Sequence, residues 1–213
     1  AWAPCPTATG MLGGTGREVV TQALQAGHDV TVLVRDPARL TVTLDRHHVV
    51  TGSVTQNQDA LRDAMRGRDA VISALGTGNS LTSNGLIARS LRAVVQAMSA
   101  ASVRRLIFTS AYGVGDTWRD VPFVPRLLMR TLLRDLYADK AAGEDVLRHS
   151  GLDWTLVYPV SLTNGQQTGR VRAGERLALR GFPRISRADV AAFLLGQMAD
   201  ASYIRKGVII SGR

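Results

Sequence analysis

Three glycines near the start of the chain, Gly10, Gly13 and Gly16, are spaced G-x-x-G-x-x-G, and helical periodicity opens directly behind them. Side chains at such a bend hold an anion away, whereas glycines leave the N–H groups of a helix N-terminus open to a diphosphate. Gly10, Gly13, Gly14, Thr15 and Gly16 are therefore predicted to cradle a dinucleotide, a glycine-rich turn that only packs helix on sheet being the alternative. The flanking pattern favours the cradle. Arg17–Ala26 reads as a helix stopped by Gly27, and Asp29–Val34 as a strand rich in β-branched residues and buried on both faces.

The same alternation continues down the chain. Asp59–Arg66 reads as a short helix ending at Gly67, followed by the strand Ala70–Ala74 and a turn-rich loop, Gly76–Ser80. Leu86, Ile87, Leu91, Val94, Val95 and Met98 recur at helical spacing, and Arg105–Ser110 reads as the next strand. In the second half, Val121–Pro125 is a loop, Arg126–Leu136 and Asp139–Arg148 are helical, and Asp153–Tyr158 is a strand ending at Pro159. A polar stretch, Ser161–Gly169, then precedes extended pieces around Val171 and at Leu177–Leu179, a helix over Arg187–Met198, and a last strand, Gly207–Ile210, near the sheet edge. The expected fold is α/β: a Rossmann-like, doubly wound, mainly parallel sheet in one domain over residues 1–213, with substrate-side loops in its C-terminal half. One segment opposes this. A central first strand over Ala3–Thr9 contains Pro4 and Pro6, which donate no ladder bond. Either the missing donors face no partner, or the strand is shorter, or the terminus is distorted.

Composition narrows the function classes. Of 26 basic residues only Lys140 and Lys206 are lysines, and against 17 acids they leave a net charge of +9. Anionic ligands suit such a surface. The arginines are scattered and only 5% of residues are aromatic, so most are read as solvated and nucleic acid is not the expected partner. With one cysteine, Cys5, there is neither an internal disulfide nor a structural zinc site, and His28, His47, His48 and His149 lack ligand spacing, so no metal is expected. No apolar run reaches membrane-spanning length, which leads to the expectation of a soluble, cytoplasmic protein acting on a small-molecule substrate.

Several residues fall where chemistry is expected. Arg35 directly follows the second strand, where a basic residue favours the 2′-phosphate of NADP and an acidic one the ribose of NAD; Asp36 is the acidic alternative and Arg39 a second phosphate partner. This points to NADP(H) before NAD(H). Thr109, Ser110 and Tyr112 sit at the carboxyl end of a strand, the edge where ligands bind, and Ser110 is a candidate to hold a substrate carbonyl. Tyr137 and Lys140 are three apart on a helix, so the ammonium is placed to lower a phenol pKa or anchor ribose; both also suit an ordinary surface.

The stretches Gly10-Met-Leu-Gly-Gly-Thr-Gly-Arg-Glu-Val-Val20, Ala26-Gly-His-Asp-Val-Thr-Val-Leu-Val-Arg-Asp36 and Ala70-Val-Ile-Ser-Ala-Leu-Gly-Thr-Gly78 resemble the atypical short-chain dehydrogenase/reductases. They look most like the NADPH-dependent biliverdin-IXβ reductase/flavin reductase group, and Leu106–Ala111 and Glu144–Pro159 agree. The resemblance implies a Rossmann fold whose NADPH phosphate lies at Arg35 and Arg39, with the diphosphate at Gly10–Gly16 and the nicotinamide beside Leu75, Gly76 and Ser110. It implies hydride transfer to a flavin, tetrapyrrole, quinone or carbonyl-type acceptor, the proton-donor candidates here being Lys140, Ser110 and Tyr112. Departures are informative. Ser53 replaces an aspartate that meets adenine in relatives, and Lys140 and Ser161 replace two histidines of the biliverdin-IXβ reductases. The Tyr-x-x-x-Lys pair of ordinary short-chain dehydrogenases is missing, since Leu136 stands four before Lys140. Isomerisation on the same scaffold, or a non-catalytic NADP(H)-binding redox sensor acting through protein partners, are the rival readings.

Overall fold

In the computed structural model of the chain, the described residues are 6–9, 13–37, 47–76, 80, 82–121, 126, 131 and 133–213. Four strands open the chain: β1 (Pro6–Thr9), β2 (Val30–Val34), β3 (His47–Thr51) and β4 (Ala70–Ser73), with α1 (Gly14–Gln25) after β1 and α2 (Gln58–Met65) after β3. Next come α3 (Leu86–Ala100), β5 (Arg105–Thr109), a 3-10 turn (Gly115–Asp120), α4 (Arg134–Arg148) and β6 (Asp153–Pro159). The chain then forms β7 (Ser161–Thr163), β8 (Val171–Gly174), β9 (Arg184–Ser186), α5 (Arg187–Gly196) and β10 (Lys206–Gly212). The main sheet has the order β3-β2-β1-β4-β5-β6-β10-β8, parallel throughout except for β8, while β7 and β9 pair separately. Strand order reverses on either side of β1, and that switch point opens a crevice at the carboxyl ends of β1 and β4.

Alternating side chains assign the two faces. On β5, Leu106 and Phe108 join Leu61, Leu91, Val94 and Leu147 on the side of α2, α3 and α4, whereas Ile107 joins Val19, Val190 and Leu194 on the side of α1 and α5. Both sheet faces are thus covered, which is why the inner strands read as nearly continuous apolar runs.

Several expectations are corrected. The helix after the glycines starts at Gly14, not Arg17, because Gly13 is extended and its carbonyl already accepts from the Arg17 N–H at 3.1 Å. Of the expected first strand, Ala3–Cys5 with Pro4 lie outside the described residues, and Pro6 opens the described part of β1, paired opposite Ala70. The helix break read between Leu136 and Asp139 does not exist, since α4 runs through it; residues 127–130 and 132 lie outside the described set. Leu177–Leu179 is not a strand, its leucines packing instead against the core. The final strand does run near the sheet edge, one place in, with β8 added antiparallel on its outer side. β3, β7 and β9 went unread. Among the described residues no helix is long and apolar enough to cross a membrane, and no group of His, Cys, Asp or Glu is arranged to hold a metal.

Candidate functional site

The crevice is built first by α1. Gly13 caps it with extended backbone and no side chain of its own, and among the described residues no side chain accepts from the leading N–H groups of α1. A Cβ on Gly13 projects into open space, as does one on Gly76 beyond β4. Thr15 and Gly16 are buried in the first turn. Gly10 and Arg39 lie outside the described residues.

Arg35 leaves β2 exposed and lines one opening with Gly52, Ser53, Leu75, Gly76 and Ile87. Its floor is fixed by the Gly52 N–H donating to the Val34 carbonyl at 2.8 Å. Ser53 is engaged locally: its N–H donates to Asn57 Oδ1 at 3.1 Å, and its hydroxyl is 3.2 Å from that of Thr55. Of the expected cofactor residues, Arg35, Ser53, Leu75 and Gly76 line this opening, and Gly13–Gly16, Thr109 and Ser110 do not.

The carboxyl end of β5, two strands over from β1, carries the next expected residues. Thr109 is buried and its hydroxyl has no hydrogen-bond partner among the described residues, as is true of Ser73 at the end of β4. Ser110 points to the other face, where its hydroxyl donates to Glu144 Oε1 at 2.6 Å. Glu144 is fully buried, and its Oε2 also accepts from Tyr158 Oη at 2.9 Å and Arg148 Nη2 at 3.1 Å. Burial pushes the Glu144 carboxyl up, opposed by the bonds from Ser110 and Tyr158 and by the Arg148 charge. Tyr158 is pushed up as well, by burial and by Glu144.

Lys140 lies one helical turn before Glu144 and is only 7% exposed, which removes the surface reading. Its Nζ stands 5.6 Å from the Phe108 ring centroid. Desolvation lowers its pKa to about 8 against the raising pull of Glu144 and Asp139, so the ammonium can release a proton near neutrality. Lys140 and Ser110 thus flank the same carboxylate. Tyr112 is separate: its hydroxyl donates to the Asp120 carbonyl at 2.6 Å, and burial, then Asp120, push its pKa up. Tyr137, half-buried, donates to the Tyr112 carbonyl at 3.2 Å.

Sequence reasoning missed Glu144, although its place four residues after Lys140 on one helix was a legible pairing signal. It also missed the support for α3. That helix begins at Gly85 in the left-handed region without a side-chain cap of its own, and Asp139 accepts from the Ile87 and Ala88 N–H groups at 2.8 and 3.0 Å. Asp135, one turn earlier on α4, accepts from the Ser83 and Asn84 N–H groups at 2.6 and 3.2 Å.

A family model described as NAD(P)H-binding matches residues 10–201. The chain belongs to that NAD(P)H-binding family. Within curated proteins it is similar to the uncharacterized sugar epimerase YhfK of Bacillus subtilis, 26% identical over 177 residues covering 80% of this chain and 76% of that one. It spans half to two thirds of the length of several other curated relatives. Among solved structures it is similar to ChuY, an anaerobillin reductase from Escherichia coli O157:H7, at 22% identity and TM-score 0.75, with 96% of each chain covered. It is similar too to a short-chain dehydrogenase/reductase from Veillonella parvula in complex with NADP, at 19% identity and TM-score 0.80, covering 99% of this chain and 95% of that one. At those identities the solved structures speak for the fold.

Proposed function

We propose that the chain is an NADPH-dependent reductase, one domain whose C-terminal segments build the substrate side. The observation that carries this reading is the start of α1 directly behind β1, at the point where strand order reverses, with extended Gly13 in the N-cap place and Arg35 leaving the adjacent strand β2. The residues suit a dinucleotide: open space at Gly13 and Gly76, and two buried hydroxyls, Ser73 and Thr109, left without partners among the described residues at the ends of β4 and β5. Gly13–Gly16 would hold the diphosphate and Arg35 the 2′-phosphate, with Ser53 near adenine and Leu75, Gly76, Thr109 and Ser110 towards the nicotinamide. When bound, the nicotinamide supplies the hydride. The chain's own part is to position an acceptor, a flavin, tetrapyrrole, quinone or carbonyl compound, and to deliver a proton. Lys140 suits delivery because its pKa of about 8 leaves it protonated, yet able to donate, at neutral pH. With its hydrogen committed to Glu144, Ser110 would accept rather than donate any further hydrogen bond, in place of the carbonyl contact expected of it.

The test is direct. NADPH fluorescence should shift on binding and do so at lower concentration than NADH, and Arg35→Ala should abolish that preference. An unchanged ratio would count against the phosphate assignment.

One observation favours a second reading, a redox sensor that binds NADP(H) and acts through a protein partner. Leu136 occupies the place of the Tyr in Tyr-x-x-x-Lys, and the hydroxyl hydrogens of Ser110 and Tyr112 are both committed to internal acceptors. Tight NADPH binding with no oxidation by flavin, quinone or carbonyl acceptors would select it. The naming of YhfK as a sugar epimerase makes sugar isomerisation an arm of the same screen.

A further inference from the structure

Arg187, the first residue of α5, lies across the first turn of α1. A Cβ added to Gly14 would come within 2.6 Å of its Cδ and 2.9 Å of its Nε, so only a glycine leaves the guanidinium stem this path. The placement is held from several sides. Arg187 Nη1 donates to Asn164 Oδ1 at 2.6 Å, and the neighbouring Ala188 carbonyl accepts from Gln22 Nε2 of α1 at 2.9 Å. Asp189, buried one turn into α5, accepts from the Thr168 and Gly169 N–H groups at 2.8 and 2.9 Å, tying the segment that carries Asn164 to the same helix start.

Electrostatically this is a costly place for a cation. Helix N-termini carry partial positive charge, and Arg187 sits at the start of its own helix and over the start of another. The nearby acid Asp189 directs its oxygens to Ser186, Thr168 and Gly169, and Arg187 makes no ion pair with any described residue. Its remaining N–H donors have no protein acceptor among the described residues. A fork of donors held over bare helix N–H groups matches an anion shared between them.

We infer that Arg187, steadied by Asn164, is a second clamp on the cofactor diphosphate, closing from the C-terminal segment over the turn that Gly13–Gly16 makes from below. This rests on the reading that a dinucleotide occupies the crevice. It also separates two roles, because the diphosphate is common to NADPH and NADH whereas the 2′-phosphate is not. Arg187 acts on affinity, and Arg35 on preference.

The experiment is titration of the full chain with NADPH and with NADH, by fluorescence or calorimetry, alongside melting of the ligand-free protein. Arg187→Ala is expected to weaken both nucleotides tenfold or more, keeping their ratio within twofold and the ligand-free melting temperature unchanged. Arg187→Lys and Asn164→Ala should each lose part of that affinity, and they carry the test if Arg187→Ala does not fold. Affinities within twofold of wild type, or a loss confined to NADPH, overturn the assignment. So does an unchanged NADPH affinity with a raised KM for an anionic acceptor, which would place the guanidinium against substrate. Wild-type protein that binds neither nucleotide removes the cofactor reading itself, whereas wild-type binding with an indifferent Arg187→Ala removes only the clamp.

Discussion

Removing the Glu144 carboxylate should destabilise the protein far more than removing its neighbour Asp145, although both reach Arg148. Glu144 is fully buried and satisfies three donors, at 2.6 Å from Ser110, 2.9 Å from Tyr158 and 3.1 Å from Arg148. Its replacement by alanine leaves the Ser110 hydroxyl without its acceptor and Tyr158 Oη with only the Arg148 Nη2 contact at 3.4 Å, and deleting a buried charged partner typically costs about 3–5 kcal/mol. Two features pull towards the lower figure. Burial already disfavours the ionised carboxylate, as its upward pKa shows, and Arg148 keeps Asp116 and Asp145, each at 3.2 Å. A loss of about 3 kcal/mol corresponds to a fall of about 6–12 °C in melting temperature for a chain of this size. Glu144→Gln, which keeps the shape but turns an amide donor towards a donor, should lose about 1–3 kcal/mol. Asp145→Ala, whose side chain is 67% exposed, should stay within about 1 kcal/mol. Urea denaturation followed by tryptophan fluorescence measures all three, with buried Trp154 as a reporter. If Glu144→Ala melts with Asp145→Ala, the three-donor account is wrong. A cycle with Ser110→Ala adds an internal check, since the double variant should lose less than the sum of the singles.

Two more outcomes follow from buried charges. Because folding lowers the Lys140 pKa from 10.5 to about 8, the unfolded chain holds this proton more tightly, so its contribution to stability improves as pH rises from about 8 towards 10.5. At about 1.4 kcal/mol per pH unit the penalty at pH 7 is on the order of 3 kcal/mol. Lys140→Met should therefore match or exceed wild-type stability at pH 7, with its advantage shrinking by pH 9.5; an advantage equal at both pH values would refute the burial argument. If Lys140 delivers the proton, acceptor-dependent turnover of the wild type should fall as pH passes about 8, and that limb should vanish in the variant. Asp139→Ala strips the Ile87 and Ala88 N–H groups of their acceptor and should lower stability by about 1–3 kcal/mol, read by urea denaturation; a loss below about 0.5 kcal/mol would mean the α3 terminus is capped otherwise.

The alternation of helix and strand, the helix behind Gly13 and the basic residue closing β2 were all legible in the amino-acid order, because each depends on neighbours within a few positions. A β-branched run such as Val30–Val34 declares a strand, and Gly27, at φ +85°, declares where α1 stops. Placement across the sheet was not written locally. That β10 lies between β6 and β8 depends on which edge was open once β6 had docked. Ser110 and Glu144 are 34 positions apart, and meet because the β5–β6 register sets the Ser110 N–H on the Val157 carbonyl, beside Tyr158, while α4 packs above. The aspartates that finish α3 come from α4, about 50 positions away, and Arg187 reaches Gly14 from the far end of the chain. Backbone preference and hydrophobic period act over one or two turns, so they name the elements; packing of faces and pairing of buried charges act across the folded body, so they alone choose the company each side chain keeps.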